Sequence, residues 1–224
     1  MPVHRLSSGL ARPGRRELKK TMTRRELIAA GRRLFAARGL YDSRIEDLAR
    51  AAGIGKGTLY LYFASREKLI EAVVSAGFGE LLARVQREAL GASTREQLLT
   101  RVTRAHLMFF EDNPDLLRVF HQVRGLLKFN RRGWQPLRQV LESYIAGLSL
   151  LLSRRARTRR AASAAPPGSA ALLFGAISGV TSMRASLSGS VPALSRSQAS
   201  VRALVAMVIS YEKWANRREG ASAA

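Results

Sequence analysis

The stretch AGIGKGTLYLYF, residues 52–63, places three glycines, a lysine, a threonine and three aromatic residues within twelve positions. Its spacing continues one that begins upstream, where Ile45 is followed by Ala49, Gly53 and then Leu59. This order suits two short helices that cross at a steep angle. The small Ala49 allows close approach, Gly53 provides a left-handed turn, and Leu59 anchors the second helix to the core. The pattern therefore predicts a helix-turn-helix.

The second of these helices is predicted to run from about Lys56 to Phe63, with Leu59 and Phe63 facing inward. Its other side must then face outward, and a surface of a cation, a hydroxyl and little bulk is what the DNA major groove accepts. The alternative is that the glycines form ordinary turns and the tyrosines are half-buried packing residues. The residues predicted to face outward are Lys56, Gly57, Thr58 and Leu61, with Tyr60 and Tyr62 at the flanks.

Capping patterns predict a helix on each side of this segment. A capping box from Thr23 to Glu26 opens an amphipathic helix that ends near Gly39, and a second, from Ser43 to Glu46, opens the short helix that Gly53 closes. Ser65 caps a longer helix that reaches about Leu90.

Further caps and prolines predict helices over about 93–111, from Pro114, over about 136–155, over 169–188 and over 196–217. The last is opened by a box from Ser195 to Gln198. Because no stretch alternates at period two, we expect an all-α fold of about nine helices. We expect a basic disordered arm over 1–21, a three-helix DNA-binding domain over 22–67, and a helical ligand-binding and dimerisation domain over 68–224. The alternative for the arm is a start site placed too early, since Met22 opens the first predicted helix.

The composition limits the classes of partner and site that the protein can have. Lysine and arginine outnumber aspartate and glutamate by 38 to 16, so the net charge of +22 favours a polyanionic partner, either nucleic acid or an anionic membrane surface. The absence of cysteine excludes disulfides, thiolate metal sites and cysteine nucleophiles. With no secretory signal at the N-terminus, and a longest charge-free apolar run, Ala170 to Met183, shorter than a membrane span, we expect a cytoplasmic protein with no membrane partner.

The chain shows no nucleophile elbow, phosphate loop, metal-ligand spacing or Ser-His-Asp arrangement. We therefore expect neither an enzyme nor a cofactor or metal site.

Residues 23 to about 82 resemble the N-terminal domain of TetR-family transcriptional regulators, in which G-[IV]-x-K-G-T-L-Y-x-Y-F marks the helix that reads DNA. Residues 53–63, GIGKGTLYLYF, match it throughout, although Gly55 stands where serine is common and Ala64 where lysine is common. The resemblance implies that Lys56, Gly57, Thr58, Tyr60 and Leu61 approach bases and sugars, while Ser43, Arg44, Tyr62 and Arg66 hold phosphates.

The same resemblance implies a homodimer that binds a palindromic operator of double-stranded DNA, acts as a repressor, and is released by a small-molecule effector. A sequence-indifferent basic DNA-binding protein is the alternative. The last two predicted helices resemble the family's dimer interface, with candidates Leu172, Gly175, Ile177, Gly179, Met183, Val201, Leu204, Val205 and Val208; both helices could instead complete each subunit's own core. Candidates for lining an effector cavity are His106, Phe109, Phe110, Phe120, His121, Arg124 and Trp134.

Overall fold

The computed structural model describes residues 15–40, 42–129, 134–153 and 165–222. Within these ranges the chain is entirely helical, as the sequence predicts. Residues 1–14 of the predicted arm lie outside the described residues. The helices are α1 (Arg15–Arg38), α2 (Ile45–Ala51), α3 (Lys56–Tyr60), α4 (Arg66–Ala89), α5 (Arg95–Asp112), α6 (Pro114–Phe129), α7 (Gln135–Leu152), α8 (Ser169–Ser188) and α9 (Gln198–Ser222), with a short 3₁₀ helix at Leu194–Arg196.

Several helix ends follow the predicted caps. The Ser65 hydroxyl accepts the Lys68 N–H at 3.3 Å, so α4 begins where its cap predicts. The Thr94 hydroxyl accepts the Gln97 N–H at 3.1 Å at the start of α5, and α6 begins at Pro114. Side-chain oxygens at these positions satisfy amide donors that have no partner inside the helix.

Three helix starts differ from prediction. α1 begins at Arg15, so the expectation of disorder is wrong for residues 15–21, which extend the helix. At α2 the residue before the helix is Arg44, whose N–H donates to the Asp47 carboxylate at 3.4 Å; Ser43 is not the cap.

At α9 the predicted box from Ser195 is also wrong. The Ser197 hydroxyl accepts the Ser200 N–H at 3.2 Å, whereas Ser195 is buried and donates from both its N–H and its hydroxyl to the Glu111 carboxylate. A carboxylate from another helix replaces the local partner that the pattern offered. Ser195 therefore fixes the 3₁₀ segment to α5.

The core forms around α4, which packs against α5 and α7 along its length and against α1 at its N-terminal half. α8 and α9 pack on each other and on α5, and α6 packs against α1 on one side and α8 on another. The predicted domain boundary at residue 67 falls in the first turn of α4. α4 and α6 therefore both join the first three helices to the rest of the protein.

Among the described residues, α8 is the one helix long and apolar enough to cross a membrane by length and composition. Its charge-free run is short, as the sequence shows, but the helix as a whole reaches 20 residues. Core helices meet the same criterion, and α8 packs against α5, α6, α7 and α9.

Candidate nucleic-acid interface and effector cavity

The corner between α2 and α3 has the predicted geometry. Ala49, Leu59 and Phe63 are buried, and Gly53 has φ +65°, the left-handed conformation that glycine adopts without steric cost. The Ile54 N–H donates to the Ala49 carbonyl at 3.0 Å and closes the turn. α3 is shorter than predicted, because regular helix ends at Tyr60 and Phe63 is reached through a turn. The predicted anchors are nevertheless in place.

The opposite face of α3 is open to solvent. Leu61 is 80% exposed and Tyr60 is 42% exposed. Lys56, Gly57 and Thr58 are exposed as well, and a Cβ added at Gly57 would meet no heavy atom within 4 Å. An exposed leucine beside an exposed tyrosine is costly in water and suits a surface that another molecule covers.

Lys56 is held by α2. Its ammonium lies 2.5 Å from a Glu46 carboxylate oxygen and 6.0 Å from the centre of the Tyr60 ring. The hydrogen bond to Lys56 lowers the pKa of Glu46, and the reciprocal bond raises the pKa of Lys56. The lysine is therefore a preset cation at the start of α3, and Glu46 is a neighbour that the sequence reasoning missed.

The predicted phosphate-contact residues differ in how far they are exposed to solvent. Arg44 is exposed before α2, Tyr62 is half-buried against the core, and Arg66 is half-buried in the first turn of α4. Ser43 is buried and its hydroxyl donates to the Gly39 carbonyl at 2.5 Å. The predicted role of the Ser43 side chain is therefore wrong, because the end of α1 takes up its hydroxyl.

The sequence profile described as "Bacterial regulatory proteins, tetR family" matches residues 27–73, which contain α2, α3 and the start of α4. Residues 27–73 therefore form a DNA-binding domain of the TetR type. A crystal structure of the transcriptional regulator FadR from Bacillus subtilis, in complex with stearoyl-CoA, superposes with a TM-score of 0.69. It covers 83% of this chain and 97% of that one at 20% identity, which shows a shared fold.

Two curated relatives are also regulatory proteins. The fatty acid metabolism regulator protein of Bacillus subtilis is 23% identical over 128 residues, which are 57% of this chain and 65% of that protein. The HTH-type transcriptional repressor KstR2 of Rhodococcus jostii is 33% identical over 88 residues, 39% of this chain and 43% of the repressor. The match thus spans less than two thirds of either relative.

The predicted dimer residues also divide. Ile177, Val201, Leu204, Val205 and Val208 are buried within the protomer, as the alternative of a protomer core expects, and their place in a dimer interface stays a prediction. Met183 is 63% exposed, whereas Leu172, Gly175 and Gly179 are half-buried. Val180 on α8 is exposed as well, and the exposed apolar residues that the prediction missed are Leu187 on α8 and Met207 and Trp214 on α9.

The reason for this division is geometric. Within the protomer α8 and α9 pack against each other, so one apolar face of each helix must lie against the other helix. Sequence periodicity shows that a helix has apolar positions but does not show which of two apolar faces the protomer covers.

Three predicted effector residues line one small, partly open cavity, and four do not. Phe120, His121 and Arg124 lie on it, and the Arg124 guanidinium approaches the Ser178 hydroxyl at 3.4 Å. His106, Phe109 and Phe110 belong to the packed core, and Trp134 precedes α7 without reaching the cavity. The prediction missed the lining residues from α4, α7 and α8, together with two on α6: Phe78, Leu117, Val123, Leu141, Phe174, Ser178 and Ser182.

A second cleft adjoins this cavity between α6 and α8. The two share Leu117, His121 and Ser182, and the cleft adds Arg118 and Gln122 from α6. Serine side chains and the turn after α8 complete it, namely Ser186, Gly189, Ser190 and Val191 with Ala185. The cavity therefore adjoins a cleft whose lining includes the cation Arg118 and several serine side chains.

His106 is a core residue with a defined hydrogen-bond pattern. Its Nδ1 lies 2.7 Å from the Val102 carbonyl oxygen, and its Nε2 lies 2.5 Å from the Tyr144 hydroxyl. Burial lowers the pKa of His106 to about 4, so the ring is neutral near pH 7. A neutral ring that donates to the carbonyl must accept from Tyr144.

Proposed function

We propose that this chain is a ligand-responsive DNA-binding transcriptional regulator, a repressor that binds a palindromic operator as a dimer and is released by a small-molecule effector. The observation that carries the proposal is the α3 face, where Lys56, Thr58, Tyr60 and Leu61 stand in solvent while Leu59 beneath them is fully buried. In this proposal residues 22–67 read DNA and residues 68–224 bind effector and partner. The regulator acts in the cytoplasm, on chromosomal DNA.

The contacts divide by chemistry. Lys56, Gly57, Thr58, Tyr60 and Leu61 enter the major groove, where small and hydroxyl-bearing residues allow close approach. Phosphate contacts come from residues around it, and Arg66 suits one because it lies at a helix N-terminus, where backbone N–H groups and a guanidinium favour the same anion. The proposed phosphate-contact residues are Arg44, Tyr62 and Arg66.

The direct test uses a duplex selected by the wild-type protein from a random pool. Near 0.2 M salt, we expect the regulator to prefer this duplex over random DNA by roughly a thousandfold. Combined Lys56→Ala and Tyr60→Ala substitution should remove that preference without changing thermal stability, because both side chains are exposed. Arg87→Ala, which removes an exposed cation near the end of α4, is the charge-matched control.

Equal binding of selected and random duplex would support the alternative of a sequence-indifferent DNA-binding protein, which the net charge of +22 favours. A specific preference that survives the double substitution would argue against α3 as the reading helix.

The dimer follows from the exposed apolar residues of α8 and α9. Val180, Met183 and Leu187 recur at helical spacing on α8, and Met207 and Trp214 lie seven residues apart on α9. Such stripes on two packed helices suit an isologous interface. Two half-sites roughly 34–36 Å apart would then be read by the two α3 helices.

Met183→Asp should convert the dimer to monomer in sedimentation velocity, because it buries a carboxylate in the interface. Leu150→Asp is the matched control, since Leu150 is 73% exposed on α7, away from both stripes. Unchanged assembly of Met183→Asp would exclude this face as the interface.

The effector proposed for the cavity has an apolar body and an anionic head. Phe78, Phe120 and Phe174 line the cavity together with Arg124, while Arg118 and His121 line the adjoining cleft. The FadR structure named above holds stearoyl-CoA, a molecule of this kind. In calorimetric titration with stearoyl-CoA we expect binding that Arg124→Gln weakens roughly tenfold and Arg87→Ala leaves unchanged. Equal affinity of both variants would remove Arg124 from the site.

A further inference from the structure

The turn that follows α1 lacks a local partner for one of its amides. Gly39 has φ +89°, and its N–H donates to the Phe35 carbonyl at 2.9 Å. This left-handed ending satisfies one carbonyl of the last turn and leaves the next N–H, that of Leu40, for a partner elsewhere. Leu40 is buried, so water is a poor substitute.

That partner is Gln122 in the middle of α6. The Gln122 Oε1 accepts the Leu40 N–H at 2.6 Å across a separation of 82 residues. The other side of the same peptide group is also held, because the Gly39 carbonyl accepts the Ser43 hydroxyl at 2.5 Å. Ser43 directly precedes Arg44, the residue before α2. One peptide group therefore joins α6 to the start of the helix-turn-helix.

Gln122 also lines the cleft between α6 and α8, beside Arg118 and His121. A single side chain thus touches the cleft and holds the peptide that positions α2. α6 is fastened to α1 a second time two turns earlier, where the Arg32 guanidinium binds Asp115 and donates to the Asn113 amide oxygen at 2.7 Å. Since that end of the helix pair is fixed by charge, the neutral Gln122 bond is the weaker of the two ties.

We infer that Gln122 is the positioning residue through which an occupant of the α6–α8 cleft acts on the DNA-binding helices. An occupant draws the Gln122 amide away from Leu40, the Gly39–Leu40 peptide loses its fixed orientation, and Ser43 releases the start of α2. α3 moves with α2 because the two helices pack on each other and the Ile54 N–H closes the turn between them on the Ala49 carbonyl. This inference rests on the proposed regulatory function and adds a route to it beside α4.

The test needs no knowledge of the natural effector. Because the chain contains no cysteine, Ser190→Cys can be labelled uniquely with N-phenylmaleimide, which places an apolar ring in the cleft. Leu150→Cys, labelled in the same way, is the control, because Leu150 does not line the cleft. The readout is hydrogen exchange of the Leu40 amide, measured on the full-length protein.

Loss of a buried hydrogen-bond partner changes an opening equilibrium by roughly five- to a hundredfold. We expect labelling at residue 190 to speed Leu40 exchange about tenfold, and Gln122→Met to do the same without a label. Gln122→Glu should keep the amide protected, because a carboxylate still accepts the N–H. In the combined Ser190→Cys and Gln122→Met protein, labelling should add nothing further.

Complete labelling that leaves Leu40 exchange unchanged would overturn the inference. An effect of the label that persists undiminished in the Gln122→Met background would also overturn it, because the coupling would then travel by another route. Should Gln122→Met fail to fold, labelling at residue 190 in the Gln122→Glu background still shows whether the label changes Leu40 exchange.

Binding to the selected duplex separates this inference from the proposed function. A label that speeds Leu40 exchange and weakens binding about tenfold supports both. Faster Leu40 exchange with unchanged affinity would overturn the regulatory role of Gln122 while leaving the DNA-binding function intact. If the wild-type protein selects no duplex, the proposed function fails, and with it the regulatory role, although the exchange data still show whether the cleft is coupled to α2.

Discussion

On α3 the aromatic residue Tyr60 stands at the surface, whereas between α4 and α8 the aromatic side chains pack on one another. Tyr60 is 42% exposed, next to a leucine that is more exposed still. In the other region the Phe78 and Phe120 rings stack with centroids 4.1 Å apart, and Tyr144 and Phe174 close around them. The same residue types therefore face solvent in one region and form a core in the other, where Phe78, Phe120 and Phe174 also line the cavity.

The difference arises from how many helices surround each group. α3 packs against α2, and four of its five residues face solvent. The aromatic cluster lies among α4, α5, α6, α7 and α8, which leaves its members almost no exposed area. An aromatic residue is a candidate for contact with another molecule only where a neighbouring residue already anchors the helix to the core.

The strongest test of this contrast compares two leucines two residues apart. Leu59→Ala should lower the free energy of unfolding by about 2–5 kcal/mol, because Leu59 is fully buried and its loss leaves a cavity. Leu61→Ala should change it by less than about 0.5 kcal/mol, because Leu61 is 80% exposed, yet should weaken specific DNA binding. Urea denaturation and binding to the selected duplex measure the two effects. Similar stability losses in both variants would contradict the one-sided packing of α3.

A pH titration tests the dryness of the aromatic core. Burial lowers the pKa of His106 from 6.5 to about 4, so below pH 6.5 the unfolded chain takes up a proton that the folded protein refuses. The contribution of the neutral His106 ring to the free energy of unfolding is fully present above about pH 6.5. It decreases by about 3 kcal/mol as the pH falls to 4. His106→Gln cannot titrate and should flatten this part of the unfolding profile.

His121→Gln is the control for that titration, because His121 is exposed on α6 and does not belong to the core. If the free energy of unfolding of His106→Gln falls with pH as steeply as that of the wild-type protein, the His106 ring is accessible to water. The contrast between the two aromatic groups would then weaken.

The smallest expected effect concerns Glu46, which holds Lys56 at the surface. Since Glu46 competes with phosphate for the ammonium, Glu46→Gln should tighten DNA binding by roughly two- to threefold and make it more salt-dependent. Glu71→Gln is the matched control, because it frees Lys68 on α4 from a comparable pair at 2.8 Å. Weaker DNA binding by Glu46→Gln would mean that the pair orients Lys56 for the groove.

Prediction from sequence succeeded where the determining contacts are local. Ala49, Gly53, Leu59 and Phe63 lie within one supersecondary unit, so their spacing alone fixes which side of α3 is buried. It failed at Ser43 and Ser195, where the hydroxyls bond to the end of α1 and to α5 instead of capping the next helix. A capping pattern shows which local hydrogen bonds a side chain can make. It does not show whether a distant residue offers a more favourable partner.

The sequence by itself determined the all-α class, the helix-turn-helix and the face that α3 presents, because helical periodicity and glycine stereochemistry act over a few residues. Only the tertiary structure decided that Val201 and Val208 belong to the protomer's own core, that Arg124 lines a cavity while Phe110 does not, and that Gln122 holds the Leu40 amide. These outcomes depend on how α4, α6, α8 and α9 cross. Such crossings are set by the packing of whole helix faces, in which residues far apart in the chain contribute together.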